Sequence, residues 1–384
     1  MKFAHLADLH LGFRQFDRAN KAGANQREAD VAEALKRAVD GVLAAGVDAV
    51  LLAGDLFHQV RPPNSAILQM FAQLQRLRAA GLPLLAIAGD HDTPRTAETT
   101  PILGLYRALD MQVALQRVER FSLEGVTVTA VPVVAARQVA TLEPVPGVRN
   151  VLLAHGEARG FEGGNAIDAT AFARWDYVAL GHYHVATKVR ANAWYAGSLD
   201  YASSNPWGEL GEEAKHGLPG KGWLLVTLGE GAPIVEFQPI DPPRRVLDLQ
   251  PIDATDMTEA QLNAALAERL VVPELAGSWA RLVVENLSRL TQRGLDHTAL
   301  RVFKAAALNL QIEWRRPAAQ APSAERAARM RRQSLEQTVE GFLTERTLPE
   351  DVDRERLRAL GQAFLATAAG LPDPYTGEPV TGVA

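Results

Sequence analysis

Across roughly its first 240 residues the chain alternates short apolar runs with amphipathic stretches. The run "DVAEALKRAVDGVLAAG" sets Val31, Leu35, Ala38 and Val42 at helical spacing and ends at Gly46, a plausible C-terminal cap. The strand "AVLLAG" follows. In "PPNSAILQMFAQLQRLRAAG", Asn64 reads as the N-cap, and Ile67, Phe71, Leu74 and Leu77 share one face. The strand "LLAIAG" comes next, and strand, helix, strand, helix at this spacing predicts a layered α/β domain. From about residue 120 the pattern predicts antiparallel pairing. "FSLEGVTVTAVPVV" alternates around Glu124-Gly125, "NVLLAHGE" and "YVALGHYH" are further apolar strands, and "KGWLLVTLGEGAPIVEFQPI" is a late hairpin.

"DPPRR" (241–245) reads as a boundary. Beyond it the spacing predicts strand 245–252, helix 258–270, strand 280–287, helix 296–308 and strand 309–315, a small α+β unit. "RRPAAQAPSAERAARMRRQ" (315–333) is Pro/Ala/Arg-rich and reads as a linker. Two helices, 334–346 and 353–368, are expected after it, and the Pro/Gly-rich end after Gly370 reads as disordered. The predicted division is therefore 1–240, 241–318, a linker at 319–333, a helical segment at 334–370 and a tail at 371–384. No internal repeat is visible.

Composition narrows the chemistry. A chain of 384 residues exceeds one ordinary core, and 47% apolar with 22% charged residues is a soluble, globular balance. The net charge of −5 carries no general nucleic-acid signature, so a polyanionic substrate would need a local patch or bound cations. There is no cysteine, which excludes disulfides and thiolate-held zinc and leaves imidazole, carboxylate and amide oxygen as ligands. The opening "MKFAHLADLH" interrupts its apolar run with His5, Asp8 and His10 and so does not read as a signal peptide. No window reaches ~20 uninterrupted apolar residues, and a cytoplasmic location without membrane contact is the expectation.

Five blocks share one grammar, a buried strand ending in Asp, His or Gly. They are Asp8-Leu9-His10, Gly54-Asp55-Leu56-Phe57-His58, Gly89-Asp90-His91-Asp92, His155-Gly156-Glu157 and Gly181-His182-Tyr183-His184. Six of the nine histidines fall inside them, whereas His5 reads as core and His216 and His297 as ordinary surface or helix residues. Ionisable residues at buried strand ends are costly without a function there. Ligands at the carboxyl ends of neighbouring strands converge on the crevice where open α/β sheets bind, and the i, i+2 spacing of Asp8/His10 and His182/His184 would put each pair on one face of an extended segment. Nitrogen and oxygen ligands without sulfur suit Mn, Fe or Zn, and two such ions can clamp a phosphoryl centre.

In this order the blocks resemble the signature of calcineurin-like metallophosphoesterases. "ADLHLG", "AGDLFH" and "AGSLDY…KGWLLV" resemble the SbcD-type DNA nucleases in particular. The resemblance covers residues 1 to about 240. It implies a β-sandwich flanked by helices, a small α+β DNA-capping domain and a C-terminal helical segment. It further implies a Mn-dependent double-strand exonuclease and single-strand endonuclease that processes DNA ends in repair and recombination. One metal would be held by Asp8, His10, Asp55 and His184, and the second by Asp55, Asp90, His155 and His182, with Asp55 bridging. His91 would assist the departing oxygen, His58 would contact the phosphate, and Asp92 would orient an imidazole. The family has Asn where this chain has Asp90, which adds a negative charge to the site.

No Gly-x-x-x-x-Gly-Lys-Ser/Thr occurs, so any ATP dependence would come from a partner. The resemblance implies an SMC-like coiled-coil ATPase of the SbcC type, docked on the C-terminal helices, a homodimer pairing the helices that carry Ile67–Leu77 and Leu103–Leu109, and association with the nucleoid. Arg14, Arg18, Lys21 and Arg27, in the stretch after the first block, are the candidate DNA contacts, and "RAARMRRQ" (326–333) is a weaker one. Two alternatives use the same residues. One is a phosphodiesterase or phosphatase for small substrates, and the other is a DNA-end scaffold whose site Asp90 has weakened.

Overall fold

In the computed structural model, residues 1–96, 100–158, 166–317, 335–345 and 352–369 are described. Four short strands come first: β1 (Lys2–Leu6), β2 (Ala49–Leu52), β3 (Leu84–Ile87) and β4 (Gln112–Ala114). Six more follow, β5 (Glu119–Leu123), β6 (Val126–Val131), β7 (Arg149–His155), β8 (Tyr177–Gly181), β9 (Thr187–Arg190) and β10 (Ala193–Tyr195), and then the hairpin β11 (Gly222–Thr227) and β12 (Ile234–Pro239). They form two six-stranded sheets, in the orders β12-β11-β1-β2-β3-β4 and β5-β6-β7-β8-β10-β9.

The sheets pack face to face, as in a sandwich, through Phe3, Leu51, Leu85, Val128, Leu153 and Tyr177. Alternate residues of β1 take opposite sides. Phe3 enters the inter-sheet layer, while Ala4 and Leu6 join the layer under the helices. Helices α1 (Gln26–Ala45) and α2 (Asn64–Ala79) cover that outer side and carry the chain between the parallel strands β1, β2 and β3. Asn25 caps α1 by accepting from the backbone N–H groups of Arg27 and Glu28, and Gly46 ends it at φ 61°. The expected β5/β6 and β11/β12 hairpins are both present.

Three local expectations are corrected. Asn64 is the first residue of α2 rather than its cap, because the extended Pro63 takes the cap position without a side-chain bond. The buried face of α2 is Ala66, Met70, Gln73, Leu74 and Leu77, which leaves Phe71 37% exposed. β6, β7, β8 and β10 run parallel rather than antiparallel. Their near-continuous apolar runs reflect burial on both faces, which is the mark of parallel strands.

Helix α3 (Pro206–His216) leads into β11, and beyond β12 lies a third sheet. Its strands β13 (Val246–Asp253), β14 (Trp279–Glu285) and β15 (Asn309–Trp314) are all parallel. Helices α4 (Glu259–Leu270), α5 (Arg289–Arg293) and α6 (His297–Ala306) accompany it around a separate core that includes Leu262, Leu266, Leu282 and Val284. The third sheet meets the sandwich at Trp279, which stacks on Phe16 at 5.0 Å and donates its indole N–H to Asp30 at 3.2 Å.

Met1–Arg316 make one compact unit and Pro317–Ala384 another. In the second, α7 (Leu335–Glu345) and α8 (Arg354–Ala369) are joined by a Glu340–Arg358 ion pair and a Gln362 to Glu340 hydrogen bond of 3.1 Å. The expected linker at 319–333 and tail at 371–384 lie outside the described residues. Among the described residues no helix is long and apolar enough to cross a membrane.

Candidate metal centre

The ends of β1, β2 and β3 in one sheet and of β7 and β8 in the other bring five loops to a common point. Three of those loops are shaped by residues with positive φ. Asp8 and His10 sit at φ 52° and 46°, Asp55 at 52° and His182 at 109°. The convergence of Asp8 with His10 is therefore made by left-handed turns after β1 has ended, not by the extended i, i+2 geometry expected from spacing. Such conformations cost about 1–3 kcal/mol each and persist where the surroundings enforce them. Two glycines admit the close approach. A Cβ on Gly54 would lie 2.5 Å from His155 Nδ1, and one on Gly89 would overlap the Asp55 carboxylate and backbone N–H.

All seven predicted ligands arrive. Asp8, His10 and His184 place ligand atoms within 4.8 Å of one another, as do Asp90, His155 and His182, and also Asp8, Asp55 and His155. Asp55 Oδ2 lies 3.9 Å from His10 Nε2 and 3.5 Å from His155 Nε2, between the two groups. Asp90 Oδ2 lies 3.0 Å from His182 Nδ1 and 3.5 Å from His155 Nε2. Both oxygens of Asp8 accept from the His182 backbone N–H at 3.0 Å.

These donors fit divalent cations. His155 Nε2 is buried without a hydrogen-bond partner, while its Nδ1 is spent on the Ala53 carbonyl at 2.7 Å. His10 Nε2 and His184 Nε2 face each other at 2.9 Å, two imidazole nitrogens that a shared cation would satisfy together. The electrostatics show the same demand for positive charge. Burial disfavours the Asp55 carboxylate, yet His155 and His10 outweigh it and hold Asp55 well below the usual carboxylate range. Burial likewise opposes charge on His155, but Asp55, Asp90 and Asp8 raise it well above an ordinary imidazole.

The three residues expected to act on substrate take different places. His91 is exposed, its Nδ1 donates to the His58 carbonyl at 2.7 Å, and its backbone N–H donates to Asp55 Oδ1 at 2.8 Å. His58 turns its Nδ1 toward His10 Nδ1 at 3.4 Å. Burial and the neighbouring His91 push the His58 imidazole down to about 4. Asp92 orients no imidazole. Its fully buried carboxylate accepts from the backbone N–H groups of Leu56, Phe57 and Gly89 at 3.0–3.1 Å, so it braces the β2 and β3 loops against each other.

The four basic candidates separate in the same way. Arg18 and Lys21 are exposed, and Arg14 is 58% exposed with its guanidinium on Glu28 at 2.6 Å. Arg27 is corrected from a DNA contact to a structural cation. It is 2% exposed, pairs with Asp200 at 3.1 Å and Asp30 at 3.6 Å, and lies over the Phe13 and Trp279 rings. An arginine so engaged cannot reach a phosphate.

Sequence reasoning missed two features. Glu209 of α3 lies 3.3 Å from His184 Nδ1 and carries Lys221 on its other oxygen at 2.5 Å. The one available signal was Lys221 itself, a cation adjoining the apolar strand "GWLLV". A cleft of about 930 Å³ opens beside Asp90 and His91, with Arg61 and Arg95 on its wall. Neither arginine has an ion pair among the described residues.

Residues 1–186 match the family described as calcineurin-like phosphoesterase. A DNA double-strand break repair protein Mre11 from Haloferax volcanii is 32% identical over 212 residues, covering 52% of this chain and 46% of that protein. The Mre11 protein of Sulfurisphaera tokodaii is 28% identical over 251 residues, 62% of each chain. The match thus spans about half to three-fifths of the length of these relatives. Among solved structures, a dimetal phosphatase from Danio rerio aligns with 62% of this chain and 95% of its own, at 10% identity and a TM-score of 0.39.

Proposed function

From the calcineurin-like phosphoesterase domain at residues 1–186, we propose that this chain is a manganese-dependent DNA nuclease, an exonuclease on double strands and an endonuclease on single strands, acting at DNA ends in repair. The observation that carries the reading is the convergence of seven carboxylate and imidazole ligands beside a cleft walled by Arg61 and Arg95, which have no carboxylate partner among the described residues. Asp8, His10, Asp55 and His184 would hold one divalent ion, and Asp55, Asp90, His155 and His182 the other. Two ions there supply Lewis acidity toward a phosphodiester and stabilise charge on its oxygens.

The chain's own groups do the rest. Arg61 and Arg95 hold flanking phosphates of the strand along the cleft. His91 has given its Nδ1–H to the His58 carbonyl, so Nε2 is the nitrogen left for substrate, and in the imidazolium form it delivers a proton to the departing oxygen. His58 steadies His10 through the 3.4 Å ring contact. The 241–318 segment acts as the DNA-capping domain. The exposed apolar residues Leu68, Phe71 and Leu105 supply a homodimer contact. In the second unit, Phe342, Leu360 and Phe364 supply the docking face for an SMC-like coiled-coil ATPase, with the assembly working in the cytoplasm on nucleoid DNA.

Plasmid nicking with and without Mn, beside hydrolysis of bis-p-nitrophenyl phosphate, tests the reading. Mn-dependent nicking that falls ~10²-fold or more in His91→Ala, with metal binding retained, is the expected result. Hydrolysis of the small ester alone makes the chain a small-substrate phosphodiesterase. DNA-end binding without either activity makes it a scaffold, the reading that the third carboxylate at Asp90 favours.

A further inference from the structure

Beneath the candidate metal centre, α3 and β11 bury a cluster of charges. Glu209 accepts with Oε1 from His184 Nδ1 at 3.3 Å, and its Oε2 lies 2.5 Å from Lys221 Nζ. Lys221 also donates to the His184 carbonyl at 2.9 Å and lies 3.0 Å from Glu213 Oε1, while Glu213 Oε2 accepts from the Tyr201 hydroxyl at 2.7 Å. Lys221 is 5%, Glu209 9% and Glu213 3% exposed. Burying three charges this deeply is costly unless each is paired, and pairing by itself seldom adds stability over an apolar cluster. The arrangement calls for a use other than stability.

We propose that Glu209 is a positioning residue for His184, clamped by Lys221 so that one imidazole nitrogen of the centre is held ready for metal. This rests on the metal reading of the site. A carboxylate at Nδ1 can only accept, so it fixes the tautomer with the proton on Nδ1 and the lone pair on Nε2, the nitrogen that faces His10 Nε2 at 2.9 Å. His155 is held by a neutral partner, the Ala53 carbonyl. The anionic partner of His184 makes a charge-assisted bond and a more basic ligand. Lys221 grips the same residue a second time at its carbonyl, so ring and backbone are fixed together.

The carboxylate also stands on a firm element. Asn205 caps α3, and Trp207 anchors it to β13 by an indole N–H donated to the Leu247 carbonyl at 3.2 Å. A ligand supported from a braced helix is held more tightly in place than one supported from a loop.

Calorimetric titration of Mn into the full-length, metal-stripped chain tests this without reference to activity. In Glu209→Gln one of the two Mn sites should weaken by ~10–100-fold while the other stays near wild type and the apo melting temperature changes little. Glu213→Gln, which leaves His184 untouched, should keep both affinities. Wild-type affinities in Glu209→Gln overturn the inference. So does an equal loss in Glu213→Gln, which would make the cluster mere packing. Should Glu209→Gln fail to fold, Glu209→Asp keeps the charge for Lys221 but withdraws the oxygen from Nδ1, and the same single-site loss is expected. A wild-type chain that binds fewer than two Mn ions overturns the metal reading itself.

Discussion

Acid should weaken this fold through one residue that no metal touches. His5 is fully buried between the sheets, with Nδ1 3.0 Å from the Tyr177 hydroxyl and Nε2 3.1 Å from the Leu180 carbonyl. A carbonyl only accepts, so Nε2 carries the proton and Nδ1 accepts from the tyrosine, which leaves the ring neutral and satisfied. Burial pushes the imidazole from 6.5 down to about 3, with the Leu180 carbonyl pulling the other way. The native value lies below the unfolded one, so between pH 3 and 6.5 the unfolded chain binds more protons. The contribution is whole above pH 6.5 and is lost as pH falls toward 3. One proton is worth about 1.4 kcal/mol per pH unit, so going from pH 6.5 to 4.5 should cost roughly 2 kcal/mol after allowing for partial titration at the upper end. Urea unfolding of the metal-stripped protein and of His5→Gln at several pH values measures it, since other titrating groups cancel in the difference. The wild-type advantage should narrow by that amount as pH falls. Parallel pH profiles would refute the reasoning.

Two further substitutions probe the site and its frame. Asp55→Ala should weaken both Mn ions and Asp8→Ala mainly one, because Asp55 Oδ2 lies within 4 Å of both His10 and His155, which belong to different ligand groups. Mn stoichiometry by calorimetry checks this, and two ions at wild-type affinity in Asp55→Ala would remove the bridge. Arg27→Met should destabilise the fold by about 3–5 kcal/mol by leaving the Asp30 and Asp200 carboxylates buried without their shared cation, while the salt dependence of DNA binding stays at wild type. A smaller salt slope would restore Arg27 as a phosphate contact.

What the sequence made legible is tied to what period and neighbouring residues encode. The strand-end blocks were readable because a run of apolar residues broken by Asp or His is visible within one window. Pairings between distant segments were not. Arg27 looked like a free cation in a basic stretch, and only the fold reveals Asp200 beside it, 173 positions away. The resemblance made Asp92 a partner for an imidazole, yet its oxygens are taken by backbone N–H groups 35 and 36 residues away, along with that of Gly89. Glu209 was hidden for a similar reason. It sits in "PWGELGEEAKH", a helix with four other ionisable side chains that look equally solvated. The direction of β7 and β8 was misread because period alone does not distinguish a strand buried on both faces from one in a hairpin.

Asp90 shows how these levels meet. Its Oδ2 reaches His182 at 3.0 Å and His155 at 3.5 Å, so a carboxylate here draws two imidazoles toward one point, and an amide would do so more weakly. With two divalent ions, three carboxylates would reduce the centre to a net charge of +1, where an Asn at position 90 would leave it at +2. The metal would then be held more tightly and act as a weaker Lewis acid toward an anionic phosphodiester. The chain supplies positive charge nearby, because Asp90 lines the same cleft as Arg61 and Arg95. On the proposed function, these two exposed guanidiniums would attract the phosphate backbone without being neutralised by the ligands. Attraction of the proposed substrate would then lie more with the cleft, and retention of the metal more with Asp90.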